Sequence, residues 1–355
     1  WTSMFITGLG TAHPPRRYTK ADCWKAFCAS DWPGRLERRS RKIVELVLND
    51  ENGIEARWLA PANLDEVFTI DPDTLHRRFV EHAPALAAQA ARRALDDAGI
   101  EAADIGAVVV STCTGYLCPG LSGYVIERLG LRTDVQAFDL VGQGCAAALP
   151  NLRMGEALLA GGDCRHVLSI CVEVASAAMY LDDDPGVLIS ACLFGDGAGA
   201  AVLSHEARPG KRSIGWVRAA SRIDPGQRDA LRFEQRGGML RNILTLAVPR
   251  LVAEHAGQVL DRVCAETGIQ KSAIDVWIWH AGGRDVLRAL MDMLELQPAR
   301  LRYSAAVLRD FGNLSSAFVY FVLKAALDDG APPGWWWLGS FGAGFSCHGA
   351  LLEVG

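Results

Sequence analysis

Residues 141–162 read VGQGCAAALPNLRMGEALLAGG, and the rest of the chain is best read outward from them. Gly142 and Gly144 open the stretch, Cys145 follows at once, and a run of small and apolar residues continues at helical spacing. The preceding segment, VQAFDLV, has the make-up of a buried strand. The expected layout is strand, tight turn, cysteine, helix. A thiol at a helix N-terminus sits at the positive end of the peptide dipoles, which favours thiolate over thiol. Gly144 lets the backbone approach a substrate closely. An acyl-accepting nucleophile needs both features. A cysteine in this setting also suits a packed structural helix, so the remaining chain has to decide.

The chain has 355 residues, enough for one large or two medium domains. Half of them are hydrophobic and 22% are charged, the balance of a soluble globular protein. No run of about eighteen apolar residues and no signal-peptide pattern is present, so a cytoplasmic protein without membrane contact is expected. A net charge of -5 argues against a nucleic-acid surface. The ten cysteines form no CxxC and no framework spacing, and no His/Cys pair accompanies Cys113 and Cys118. Reduced thiols and no metal site are expected. Trp1, Thr2 and Ser3, ahead of Met4, are set aside as a remnant.

Along the chain, MFITGLGTA (4–12) reads as an apolar strand, and residues 18–50 as exposed amphipathic helices. A long helix is expected from Thr74 to Ala98, with Phe79, Ala83, Leu86, Ala90 and Leu95 on one face and Gly99 closing it. Lys42, Arg57, Arg77 and Arg78 read as a solvated basic face. IGAVVVSTCTG and HVLSICVEV read as buried strands, and LFGDGAGAAVLS (193–204) as a strand pair with Phe194 leading its turn. HEARPGKRS (205–213) looks like a boundary.

Beyond that boundary the pattern recurs. IDVWIWHAGG matches IGAVVVSTCTG, and the segment from Leu301 to Gly330 matches VQAFDLVGQGCAAALPNLRMGEALLAGG. Gly312 then falls on Gly144 and Asn313 on Cys145, while His280 falls near Thr112 at the end of the equivalent strand. An offset of about 168 residues means two duplicated α/β halves, not a solenoid. Packed about a pseudo-twofold axis, such halves bring Cys145, His280 and Asn313 toward one point. Cys145 can accept an acyl group, and His280 can sustain the thiolate as an imidazolium and donate to a thioester carbonyl. Asn313 can stabilise an enolate without titrating. Alone, the histidine could be a core residue and the asparagine a helix cap; placed together, the three suit carbon–carbon bond formation on thioesters.

The motifs STCTGYLCPG, GQGC, CVEV, LFGDGAGA, WHAGG and GNLSSA, in this order, make the chain resemble the type III polyketide synthases, the chalcone-synthase-like branch of the thiolase superfamily. The resemblance covers nearly the whole chain. It implies an α/β fold of the thiolase-like αβαβα five-layer kind, with an N-terminal half at 4–205 and a C-terminal half at 206–355. It also implies a homodimer using Cys145, His280 and Asn313. An acyl-CoA starter, or a malonyl-derived unit, would load on Cys145. It would be extended by iterative decarboxylative condensation with malonyl-CoA and cyclised to a resorcinol, pyrone or related aromatic. Coenzyme A thioesters are substrates, and no other cofactor is implied. Phe194 matches the family's gate between the CoA tunnel and the cavity. Thr114, Cys118, Ala178 and Ser315 match pocket positions, Cys118 being the one that reaches into the neighbouring subunit.

The chain departs from the family at several places. Ala281 stands where the histidine motif usually carries proline, and GSFGAGF replaces the usual closing turn GFGPG. Arg241 or Asn242 occupies the place of a second gate phenylalanine, and the basic pattern around GIEARW is poorly kept. Ala175 and Ala178 point to a cavity unlike that of chalcone synthase. A single-condensation ketoacyl synthase of the fatty-acid-initiating type shares the cysteine, histidine and asparagine, but it usually carries HQAN and a shorter chain. A scaffold retaining the fold without catalysis would be expected to have lost one of the three.

Overall fold

The computed structural model describes residues 4–355; the remnant Trp1, Thr2 and Ser3 lies outside the described residues. The first half runs β1 (Met4–Ala12), β2 (Arg17–Thr19), α1 (Lys20–Ala29), α2 (Trp32–Arg35), α3 (Arg38–Asn49), β3 (Ala56–Trp58) and α4 (Pro72–Ala98). It continues with β4 (Ala107–Ser111), α5 (Leu121–Leu129), β5 (Gln136–Leu140), α6 (Ala148–Ala160), β6 (His166–Glu173), α7 (Pro185–Leu193) and β7 (Gly197–Ser204). The second half has β8 (Ile214–Ile223), β9 (Leu231–Arg236), β10 (Met239–Leu244), α8 (Val248–Thr267), β11 (Ile274–Trp279) and α9 (Arg284–Leu294). It closes with α10 (Arg302–Phe311), α11 (Phe318–Asp328), β12 (Gly334–Gly342) and β13 (Ser346–Val354).

The strands follow the order β11-β12-β13-β8-β1-β7-β6-β4-β5. The order reads alike outward from the β1/β8 seam, where the strands pair only at Met4–Trp216 and Phe5–Gly215. Helix α4 packs on β1 and β7 outside one half, and α8 on β13 and β8 outside the other. Helices α6 and α11 lie between the halves, giving αβαβα layering. Asn151 of α6 donates to the carbonyls of Val109 and Ile170, at 3.2 and 3.0 Å. Tyr320 of α11 reaches the Ser169 hydroxyl at 2.8 Å, so both central helices are keyed to the first-half strands.

Local chemistry explains the long helix. Asp71 caps it by accepting from Thr74 N at 2.9 Å, Pro72 occupies its first turn, and left-handed Gly99 ends it. The expected face is buried throughout. A β-carbon at Gly8 or Gly10 would come within 2.2 or 2.1 Å of α4 carbonyls, so α4 lies flush on β1. The second half has a different filler. Trp277, Trp279, Trp336 and Trp337, all fully buried, come from the parallel pair β11 and β12, with Trp277 opposite Trp337. Glycines make room for them: Gly339 faces the Trp279 ring and Gly349 the Trp337 ring.

Four expectations need correction. β5 is not buried; it is the edge strand, alternating between half-buried and exposed positions. Residues 193–204 form one strand, β7, behind a turn rather than a strand pair. In the second half, the sequence matched to VQAFDLV is helix α10, because Tyr303, Val307 and Leu308 bury at helical spacing; the correspondence holds from Gly312 onward. Arg57 and Arg78 are buried, unlike exposed Lys42 and Arg77. The Arg78 guanidinium donates to carbonyls of Ser176 and Glu66, which replace the lost solvent.

Candidate active site

Cys145 sits in a 3-10 turn, Gly144–Ala146, feeding directly into α6. Gly144 has φ +55°, and a β-carbon there would meet Ala343 at 3.1 Å. Gly342 presses equally close, since its β-carbon would lie 2.5 Å from Ala146 N. The GSFGAGF turn therefore braces the nucleophile's backbone from behind. The Cys145 sulfur is buried and accepts from the Ser315 hydroxyl at 3.2 Å. Burial pushes the thiol from 9.0 up to about 12, with the Ser315 hydrogen bond opposing and Glu173 adding to the rise. Such a rise is worth about 4 kcal/mol against the thiolate. A helix terminus offers about 2 kcal/mol at most. The resting group is a neutral thiol, not the expected thiolate, because desolvation exceeds the dipole.

Asn313 begins the equivalent turn of the second half, after Gly312 at φ +74°. Its Oδ1 accepts from Ser315 N at 2.9 Å, which fixes which end of the carboxamide is oxygen. Nδ2 approaches the Gly282 carbonyl at 3.4 Å, beside the histidine motif. Ser315 adopts left-handed φ +52°, a costly conformation for a residue with a β-carbon. That conformation lets its N–H meet Asn313 while its hydroxyl meets Cys145.

His280 follows β11 directly and is 1% exposed. Its ring lies against Phe341 at 4.8 Å and edge-on to Phe318 at 5.2 Å between centroids. Neither ring nitrogen has a hydrogen-bond partner. Burial pushes the imidazole down to about 3, so it rests neutral rather than as the expected imidazolium. Aromatic packing, not a carboxylate, holds this ring.

Sequence reasoning quoted CVEV but passed over Glu173, which is fully buried behind the site. Its carboxylate accepts from Thr114 Oγ1 at 2.9 Å, Cys113 N at 3.0 Å, Thr112 Oγ1 at 3.2 Å, Cys113 Sγ and Ser315 Oγ at 3.3 Å, and Ser316 Oγ. Burial raises its pKa while these donors counter. The signal was legible: one acid inside an apolar strand has to be paired or hydrogen-bonded. Cys113 was noted only for its spacing; it lies 3.3 Å from the Ser315 hydroxyl.

A cavity reaches this cluster, lined in part by Cys113, Thr114, Ala175, Ala178, Phe194 and Ser315. Four of the five expected pocket residues thus share one wall. The fifth, Cys118, is exposed on the chain's surface. Phe194 is bridged to Asn313, with Asn313 N donating to Leu193 O at 2.9 Å and Gly195 N to Asn313 O at 3.0 Å. The β9–β10 hairpin contributes Phe233 and Asn242. Arg241, at the place of a second gate, faces Asp182 at 2.7 Å, Glu234 at 3.0 Å and Asp184 at 3.3 Å. Charge pairing there takes the place of aromatic packing.

Residues 12–231 match the family model described as FAE1/Type III polyketide synthase-like protein, and residues 217–353 that of the chalcone and stilbene synthases, C-terminal domain. The chain belongs to the type III polyketide synthases. It is 31% identical to a 3,5-dihydroxyphenylacetyl-CoA synthase of Streptomyces toyocaensis, over 98% of this chain and 89% of that protein. It is 32% identical to a 1,3,6,8-tetrahydroxynaphthalene synthase of Streptomyces peucetius subsp. caesius, over 98% and 92%. The crystal structure of PKS-I from the brown alga Ectocarpus siliculosus superposes with a TM-score of 0.87 at 26% identity, covering 99% of this chain and 98% of that one. The chain is accordingly a condensing acyltransferase working on coenzyme A thioesters, extending by iterative condensation with malonyl-CoA to aromatic or pyrone products. No helix of the described residues is long and apolar enough to cross a membrane.

Proposed function

We propose that Cys145, His280 and Asn313 divide the condensation between them. The carrying observation is that Ser315 joins the Cys145 sulfur to the Asn313 carboxamide while both nitrogens of buried His280 stand without partners. Buried polar atoms are rarely left unpaired without a use. Starting from the neutral pair, Cys145 attacks the starter thioester as its proton passes to His280, and the departing CoA sulfur takes that proton back. Malonyl-CoA then places its thioester oxygen between His280 and the Asn313 N–H groups. The carbon–carbon bond to the carboxylate breaks, carbon dioxide leaves, and the electron pair becomes an enolate held by these donors. The enolate carbon attacks the Cys145 thioester and expels the cysteine sulfur. Transfer of the longer chain back to Cys145 repeats the cycle.

Phe194 would gate the cavity, Thr114, Ala178 and Ser315 would shape it, and no further cofactor would be needed. Two relatives are named for products whose hydroxyls lie 1,3 to one another, the trace left by alternate keto groups. A polyhydroxylated aromatic built from few malonyl-derived units fits the Ala175 and Ala178 side of the cavity. We place the working form as a homodimer of chains with halves 4–205 and 206–355. The open edge of β5 and exposed Tyr116, Cys118 and Val141 support that assembly. A reducing cytoplasm suits its ten unpaired thiols. Intact-mass measurement with a starter-CoA panel, followed by product analysis with malonyl-CoA, tests the reading. Acyl adducts on Cys145 and multiply extended products are expected; adducts elsewhere would overturn the assignment.

A further inference from the structure

β3 is three residues long, yet it touches both turns of the site. Arg57 at its centre is 7% exposed, and its Nη1 donates to the carbonyls of Ala191 at 2.8 Å and Phe194 at 3.1 Å. These carbonyls belong to the C-terminal end of α7, where Phe194 caps the helix. A helix end leaves its last carbonyls without intrahelical donors and gathers partial negative charge. A guanidinium placed there supplies hydrogen bonds and compensating charge together. The stem of the same side chain lies against the second turn. A β-carbon on Gly312 would approach Arg57 Cγ to 3.0 Å and Leu193 O to 2.7 Å.

The rest of β3 is anchored without Arg57. Trp58 O accepts from Asp196 N at 2.8 Å, and Trp58 Nε1 donates to Asp310 O at 3.2 Å. Ala60 N donates to Asp196 Oδ2 at 2.6 Å. Arg57 is thus a buried cation whose hydrogen bonds go to the seam between Phe194 and Asn313. We infer that Arg57 is a positioning residue for the condensation, holding the cavity-wall turn at Phe194 and the amide turn at Asn313 in register. The inference rests on the roles given above to Phe194 and Asn313.

Arg57→Lys keeps the charge without the planar fork, and Arg57→Gln keeps a donor without the charge. Both are tested in the full chain by thermal melting and by kcat and KM for product formation from malonyl-CoA. Arg57→Lys is expected to melt cooperatively, lower kcat about tenfold and change KM less than about threefold, because misplacement acts mainly in the transition state. Combined with Phe194→Leu, its effect on kcat should fall short of the product of the single effects by at least about threefold. Unchanged kcat per folded chain, strictly multiplicative effects, or failure of both variants to fold would each overturn the inference and leave Arg57 a stabilising residue. If Phe194→Leu and Asn313→Ala alone keep the parent kcat, the reading of the site has failed instead. If they lose it while Arg57→Lys does not, only the role of Arg57 falls.

Discussion

Helices α6 and α11 begin alike. Each follows a glycine at positive φ (Gly144 at +55°, Gly312 at +74°), a chemically distinctive side chain and a 3-10 turn. Their surroundings differ. Cys145 is backed by the closing turn at Gly342 and Ala343, and its sulfur receives a hydroxyl. Asn313 is tied by its own main chain to the Phe194 turn, and its carboxamide oxygen is occupied by a backbone N–H. Duplication supplied one backbone device twice. Divergence left a group that can form a bond in one copy and a group that can only polarise in the other.

That division is open to breakage from either side. Cys145→Ala should abolish acyl adducts in intact-mass spectra and cut product formation by at least about 10⁴-fold, while carbon dioxide release from malonyl-CoA persists. Loss of carbon dioxide release as well would merge the two roles. Asn313→Ala should do the converse, slowing decarboxylation by about 10²–10³-fold with adduct formation on Cys145 retained. Ser315→Ala sharpens the comparison, because it removes the hydroxyl from sulfur but keeps the N–H on Asn313. Acylation should slow by about tenfold, the worth of a hydrogen bond to a charged group, and decarboxylation should change far less.

The smallest effect concerns stability. His280, held down to about 3, and His348, held down to about 4 by burial and by Arg153, stay neutral in the fold. Below about pH 6.5 the unfolded chain binds protons that the folded chain refuses, so stability falls as pH drops from about 6.5 toward about 3. Between about pH 7 and about pH 4.5, His280 alone should cost roughly 2–3 kcal/mol, read as a falling urea midpoint. Replacing it with glutamine should flatten that slope; an unchanged slope would mean the ring protonates in place.

The duplicated frame was legible because glycines at turns and apolar strand runs survive in both halves. Cys145, His280 and Asn313 were legible for the same reason: each stands at an element end. What was not legible depends on solvent. The edge position of β5 cannot be told from an apolar run, and Arg57 and Arg78 look like any surface arginine until their carbonyl partners are seen. The neutral resting states of Cys145 and His280 follow from depth, which spacing does not encode. Helix α10 was misread because matching glycines were allowed to pull the preceding residues into register.

The four indoles stacked in β11 and β12 give the molecule an optical asymmetry. Trp24, Trp32 and Trp58, in the first half, are only partly buried, whereas Trp277, Trp279, Trp336 and Trp337 are sealed from water. Emission at short wavelength will therefore come chiefly from the strands that carry His280. Their red shift during denaturation will time the opening of that half separately from the half that bears the thiol.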